Sequence, residues 1–156
     1  MLTTQHYNCV MLPGFDDEGR LPPGIHWATW QDLCGRFGIN EYRRTLLAGL
    51  KAALDSLKAA GCETVYLDGS FVTAREFPGD FDACWDPVGV DPSRLDPVLL
   101  TFDRGRATQK ARFLGELFPA TTRSGNPGPI YLEFFQVDKD TGGRKGIVAL
   151  DLRRLS

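Results

Sequence analysis

The sequence predicts an α/β, or α+β, fold: a mixed sheet of about four to five strands, helices mainly on one face, and an antiparallel hairpin at the end. Three observations carry this reading. Leucines recur at three- and four-residue steps between Glu41 and Ala60, as on one face of a long helix. The pattern then turns strand-like at Thr64 to Leu67, and from Asp80 to Trp85 apolar residues alternate with Asp and Cys. Finally, the runs 130–137 and 145–152 flank the turn-forming Asp140-Thr141-Gly142-Gly143.

Taken in order, residues 1–25 mix Pro13, Gly14, Gly19, Pro22, Pro23 and Gly24 with acidic side chains, which breaks both periods and predicts an irregular arm. A short helix is expected from Thr29 to Phe37, with Thr29 as N-cap and Asp32 completing an acidic capping box. Trp27, Trp30, Leu33 and Phe37 would dock this arm, so residues 1–38 form an arm and helix packed on a single domain spanning 1–156. The long helix runs from Glu41 to Ala60, capped by Asn40 and ended by Gly61. Its core face is Leu46, Leu47, Leu50, Leu54 and Leu57, which leaves Arg43, Arg44, Lys51, Asp55 and Lys58 largely to solvent.

A strand at Thr64-Val65-Tyr66-Leu67 enters the turn Asp68-Gly69-Ser70, and a second covers Asp80 to Trp85. Residues 86–97 read as a loop. Ala107 to Phe118 has the composition of a second amphipathic helix, stopping before Pro119 and burying Phe113, Leu114 and Leu117. A Gly/Pro/Asn loop at 124–129 leads into the terminal hairpin.

With 42% hydrophobic and 24% charged residues, the composition is that of an ordinary globular domain and excludes a disordered or fibrous chain. No apolar run approaches the roughly 18 to 20 residues of a membrane span, so a cytoplasmic protein with no membrane partner is expected. A net charge of -2 argues against bulk DNA binding. Cys9, Cys34, Cys62 and Cys84 show no paired spacing and read as reduced, mostly buried thiols, and His6 and His26 lie far from any cysteine pair, which leaves zinc without support.

The chemistry concentrates between residues 69 and 82. Two apart on one strand, Asp80 and Asp82 project from the same face with carbons roughly 6 to 7 Å apart. Their mutual repulsion is relieved by a hard cation such as Mg²⁺, which takes oxygen ligands. Gly69 allows close approach of the backbone to a ligand, and nearby amides with the Ser70 hydroxyl can donate to phosphate oxygens. A purely structural alternative has Asp80 stabilising a turn and Asp82 pairing with Arg75.

The run Leu67-Asp68-Gly69-Ser70, nine residues from Phe71 to Gly79, then Asp80-Phe81-Asp82, resembles the signature of the DNA polymerase β-like nucleotidyltransferase superfamily, in particular its minimal nucleotidyltransferase type. The resemblance covers residues 61–86 well and the C-terminal strands only by order. It implies a nucleotidyltransferase-like sheet and transfer of a nucleoside monophosphate from a nucleoside triphosphate to a hydroxyl of a protein, an RNA 3′ end or a small molecule. It further implies that Gly69 and Ser70 hold phosphates, that Asp80 and Asp82 ligate Mg²⁺ in a two-metal site, and that a later strand adds a third carboxylate.

Glu133, a charge amid the apolar run Ile130 to Phe135, is the candidate for that third ligand, with Asp151 and Asp138 as alternatives. Lys145 would neutralise a phosphate or pair with Glu133. Arg104, Arg106, Lys110 and Arg112 either guide a triphosphate or RNA end, or form a solvated face. Tyr66, Trp85 and Phe134 would stack on a base or serve the core. The family resemblance also implies a partner in a toxin-antitoxin or defence system, and its competing form is a catalytically inactive binding module or antitoxin-like protein on the same scaffold.

Overall fold

A computed structural model describes residues 12–155. Residues 1–11 of the expected arm, with His6 and Cys9, lie outside the described residues. The described residues form a five-stranded mixed sheet with four helices, an α+β arrangement. In chain order the elements are β1 (Gly24–Ala28), α1 (Trp30–Phe37), α2 (Glu41–Ala59), β2 (Thr64–Asp68), β3 (Phe81–Trp85), α3 (Ala107–Phe113), β4 (Gly115–Pro119), α4 (Tyr131–Phe134) and β5 (Gly146–Asp151). The sheet order is β1-β5-β2-β3-β4. Its two central pairings, β5 with β2 and β2 with β3, are antiparallel, while each edge strand lies parallel to its neighbour.

Local chemistry explains the helix ends. Thr29 and Asp32 form the reciprocal capping box that starts α1, and Asn40 Oδ1 accepts from the Arg43 amide at 2.7 Å to start α2. Gly61 takes φ 101°, a left-handed value suited to glycine, as the chain leaves α2. Leu46, Leu47, Leu50, Leu54 and Leu57 are buried, and with α1 they cover the face of the sheet presenting Val65, Leu67, Ala83, Leu117, Val148 and Leu150.

Arg43 departs from the expected solvated side of α2, being 1% exposed. Its guanidinium donates to the carbonyls of Phe37, Phe71, Thr73 and Arg75, at 2.5 to 3.2 Å. A buried charge is tolerated here because its donors meet oxygen acceptors. The result is a clamp on the connection between β2 and β3, which contains only a single 3₁₀ turn at Ser70–Val72.

Three sequence expectations are corrected. The expected irregular arm contains β1, whose partner β5 lies more than one hundred residues downstream and is invisible to local pattern. The helix expected over 107–118 ends at Phe113, where Leu114 adopts φ 67° and its amide closes on the Lys110 carbonyl; Gly115–Pro119 then pairs with β3 as a strand. The terminal hairpin does not form. Instead of a strand over 130–137 the chain makes α4, whose Tyr131, Leu132 and Phe135 pack over Phe118, Cys84 and Ile147 on the second face of the sheet. A single bridge, Val137 with Arg144, is all that joins the two expected strands, and β5 pairs with β1 and β2.

Candidate functional site

Strand register places three carboxylates in a row. Asp68 on β2 lies opposite Asp82 on β3, and Asp82 lies opposite Glu116 on β4. Directly opposite residues share one face with Cβ atoms about 4.5 to 5.5 Å apart, so all three project toward the side covered by α4. Asp80, half-buried just before β3, adds a fourth carboxyl group nearby. Like charges so placed are costly unless protonated or neutralised.

Cations hold both ends of the row. Lys145 Nζ lies 3.0 Å from Asp68 Oδ1. At the other end, Glu116 Oε2 is met by Arg106 Nε at 3.1 Å, Arg106 Nη2 at 3.0 Å and Lys110 Nζ at 3.3 Å. Asp82, in the middle, has no ion-pair partner among the described residues, Arg75 included. Burial, followed by the charges of Asp80, Glu116 and Asp68, pushes its carboxyl up from 3.8 to about 8. Asp80 is raised too, first by burial and then by Glu116, and burial raises Asp68 despite Lys145.

Gly69 sits directly against this row. Its φ is 85°, and a Cβ there would collide with Asp82 Oδ2. The position therefore needs glycine twice over, for its backbone conformation and for the space its neighbour's carboxylate occupies. Ser70 follows at the start of the 3₁₀ turn, whose end is tied by the Thr73 hydroxyl donating to the Ser70 carbonyl at 2.6 Å.

Row and turn open into a cleft of about 1070 Å³. Gly69, Ser70, Asp68, Asp82, Glu116, Arg106 and Lys145 line it together. An aromatic wall completes it: Tyr131 stacks on Phe118 at 4.1 Å between ring centroids and 7° between planes, and Phe134 presents an exposed ring beside them. The Arg106 guanidinium lies 5.6 Å from the Phe118 ring centre, between the wall and the carboxylates.

Of the residues singled out in the sequence, Gly69, Ser70, Asp82 and Lys145 line one cleft, with Asp80 beside them. Glu133 does not join them. It is exposed on α4 and hydrogen-bonded to Gln136, because the segment is helical where a strand was expected. Asp151 is at the opposite end of β5, paired with Arg153 at 3.0 Å. Asp138 lines the cleft but is ion-paired with Arg20. The carboxylate that a later strand does bring beside Asp82 is Glu116, which falls inside the helix expected over 107–118. The usable signal was Gly115 and Pro119 bracketing a run of strand length, which permits a strand immediately after a helix stop.

Other expectations sort themselves. Arg112 pairs with Asp96 and Arg104 with Asp103, so only Arg106 and Lys110 of that basic cluster reach the site. Trp85 is buried in the main core, Tyr66 packs beneath α4, and Phe134 is the candidate that reaches the cleft. Cys62 and Cys84 are buried with thiol pKa values pushed up by burial, which makes them inert packing groups. Among the described residues, no three His, Cys, Asp or Glu side chains stand ready as a metal cage. No described helix is long and apolar enough to cross a membrane.

No curated protein and no solved structure matches the chain. A match to the family described as "Family of unknown function (DUF6932)" runs over residues 13–151 and takes in every described strand and every residue of the cleft's carboxylate row; the chain belongs to that family.

Proposed function

We propose that the protein is a Mg²⁺-dependent nucleotidyltransferase, moving a nucleoside monophosphate from a nucleoside triphosphate to a hydroxyl acceptor on a protein, an RNA 3′ end or a small molecule. The observation that carries this is the row Asp68, Asp82, Glu116 in register across three strands, with Gly69 packed against its middle member. A sheet does not gather like charges at its core edge for stability, and Asp82 in particular has no cation of its own among the described residues.

The donor set suits magnesium: carboxylate oxygens only, crowded enough that Asp82 retains a proton to about pH 8. Asp80, Asp82 and Glu116 would hold the metal, with Glu116 in the role first sought at Glu133. When bound, magnesium supplies neutralisation of phosphate charge. The chain's own groups do the rest. Backbone amides of the Gly69-Ser70 turn and the Ser70 hydroxyl donate to phosphate oxygens, and Lys145 adds a cation beside them. The aromatic wall of Tyr131 and Phe134 offers a stacking surface for a base. The cleft, at about 1070 Å³, has room for a triphosphate and the end of an acceptor.

A second reading, a catalytically inactive module on this scaffold acting as a binding or antitoxin-like partner, is favoured by one observation: Glu116 is already committed to Arg106 and Lys110. Incubation with each labelled triphosphate, Mg²⁺ and a mixture of cellular RNA and protein separates the two. Transfer of label to a macromolecule or released pyrophosphate, lost in Asp82→Ala, supports the enzyme. Triphosphate binding with neither product supports the inactive module.

A further inference from the structure

The end of the carboxylate row at Glu116 carries more cation than it needs. Three donors, Arg106 Nε, Arg106 Nη2 and Lys110 Nζ, converge on the single oxygen Oε2 at 3.0 to 3.3 Å. Lys110 alone would neutralise the carboxylate. Arg106, unlike Lys110, also lines the cleft and reaches the edge of its aromatic wall.

The backbone that delivers Arg106 is unusual. Arg104, Gly105 and Arg106 have φ of 39°, 66° and 64°, three consecutive left-handed residues of which two carry side chains. Non-glycine side chains crowd the backbone in that region, so the conformation persists against its local preference. What it achieves is the entry of the Arg106 side chain into the cleft immediately before α3 begins.

We propose that Arg106 is an exchangeable cation: in the unliganded chain it neutralises Glu116, and it transfers to the phosphate oxygens of a ligand in the cleft, leaving Glu116 beside Asp82 with Lys110 as its remaining cation. This rests on the reading of the cleft as a triphosphate site. A guanidinium suits the exchange because its fork geometry fits phosphate as well as carboxylate, and Lys110 remains to limit the charge left at Glu116.

The probe is inorganic tripolyphosphate, titrated calorimetrically into the full chain in magnesium-free buffer. Glu116→Gln leaves Arg106 uncommitted and is expected to bind about tenfold tighter than the native chain, the scale of one charge-assisted hydrogen bond. Arg106→Ala is expected to bind about tenfold weaker, Arg106→Lys to fall between, and the Glu116→Gln/Arg106→Ala pair to lose the gain. In the native chain, which needs no variant to fold, the Arg106 Nε–Hε resonance shifts on titration. A native-like affinity for Arg106→Ala, or a gain that survives in the double variant, overturns the exchange alone. If no chain binds tripolyphosphate with or without Mg²⁺, the triphosphate reading falls and takes the exchange with it.

Discussion

Arg43 donates from Nη1 to the carbonyl of Phe71 at 2.7 Å, a bond that joins the first turn of α2 to the backbone immediately after the Gly69-Ser70 turn. With its bonds to Phe37, Thr73 and Arg75, the same guanidinium holds the stretch that carries the chain from one half of the site to the other. Substitution Arg43→Met is expected to leave four carbonyls short of a partner and to cost about 3 to 5 kcal/mol, read by urea unfolding. Arg43→Lys keeps the charge without the fork and should recover less than half of the loss. A loss under about 1 kcal/mol for Arg43→Met would mean the clamp is dispensable.

Gly69→Ala places a Cβ where the Asp82 carboxylate stands, on a backbone at φ 85°. The expected cost is about 1 to 3 kcal/mol in unfolding free energy together with loss of triphosphate binding. Pairing it with Asp82→Gly removes the collision but not the left-handed strain, so the double variant should regain part of the stability and none of the activity.

Acid should stabilise the protein through Asp82. The fold raises this carboxyl from 3.8 to about 8, so the folded chain keeps a proton that the unfolded chain has already released. The contribution is full below about pH 4 and is lost as pH climbs through about 8. In magnesium-free buffer the melting temperature should therefore decline over that window by several degrees, on the order of 1 to 3 kcal/mol. Asp82→Asn should flatten the decline, and added Mg²⁺ should restore stability at the alkaline end for the native chain only. A profile that is unchanged by Asp82→Asn would remove the carboxylate row as its cause.

The two glutamates make a clean comparison. Glu116→Ala should reduce the proposed nucleotidyl transfer by about 10²-fold or more, the scale for losing a ligand or electrostatic group at the reacting centre. Glu133→Ala, on the exposed face of α4, should leave transfer within about twofold and stability within about 0.5 kcal/mol of native. Assay of both variants alongside a thermal melt distinguishes a dead site from an unfolded chain.

What the sequence disclosed follows from the range over which each signal acts. Caps and faces are local, so Thr29 with Asp32, Asn40 and the leucines of α2 were readable, as were β2, β3 and the turn between them. Arg43 was misread because helical periodicity assigns a face but cannot foresee carbonyls arriving from residues 71–75. Aromatic, strand-like residues from Ile130 to Phe135 went into α4 because Phe118 and Ile147 offered a surface for its rings, a contact set by tertiary structure alone. Glu116 was hidden for the same reason: it acquires meaning only through its register with Asp82.

The position of β5 sets an order of events during synthesis. Among the described residues β1 pairs only with β5, and Lys145, which neutralises Asp68, stands immediately before β5. A ribosome will thus have delivered β2, β3, β4 and the whole carboxylate row before β5 emerges, so the nascent protein passes through a stage in which Glu116 has its cations, Asp68 lacks Lys145 and β1 is unattached. Assembly of the cleft is coupled to completion of the sheet, and a partly made chain has no means of presenting it.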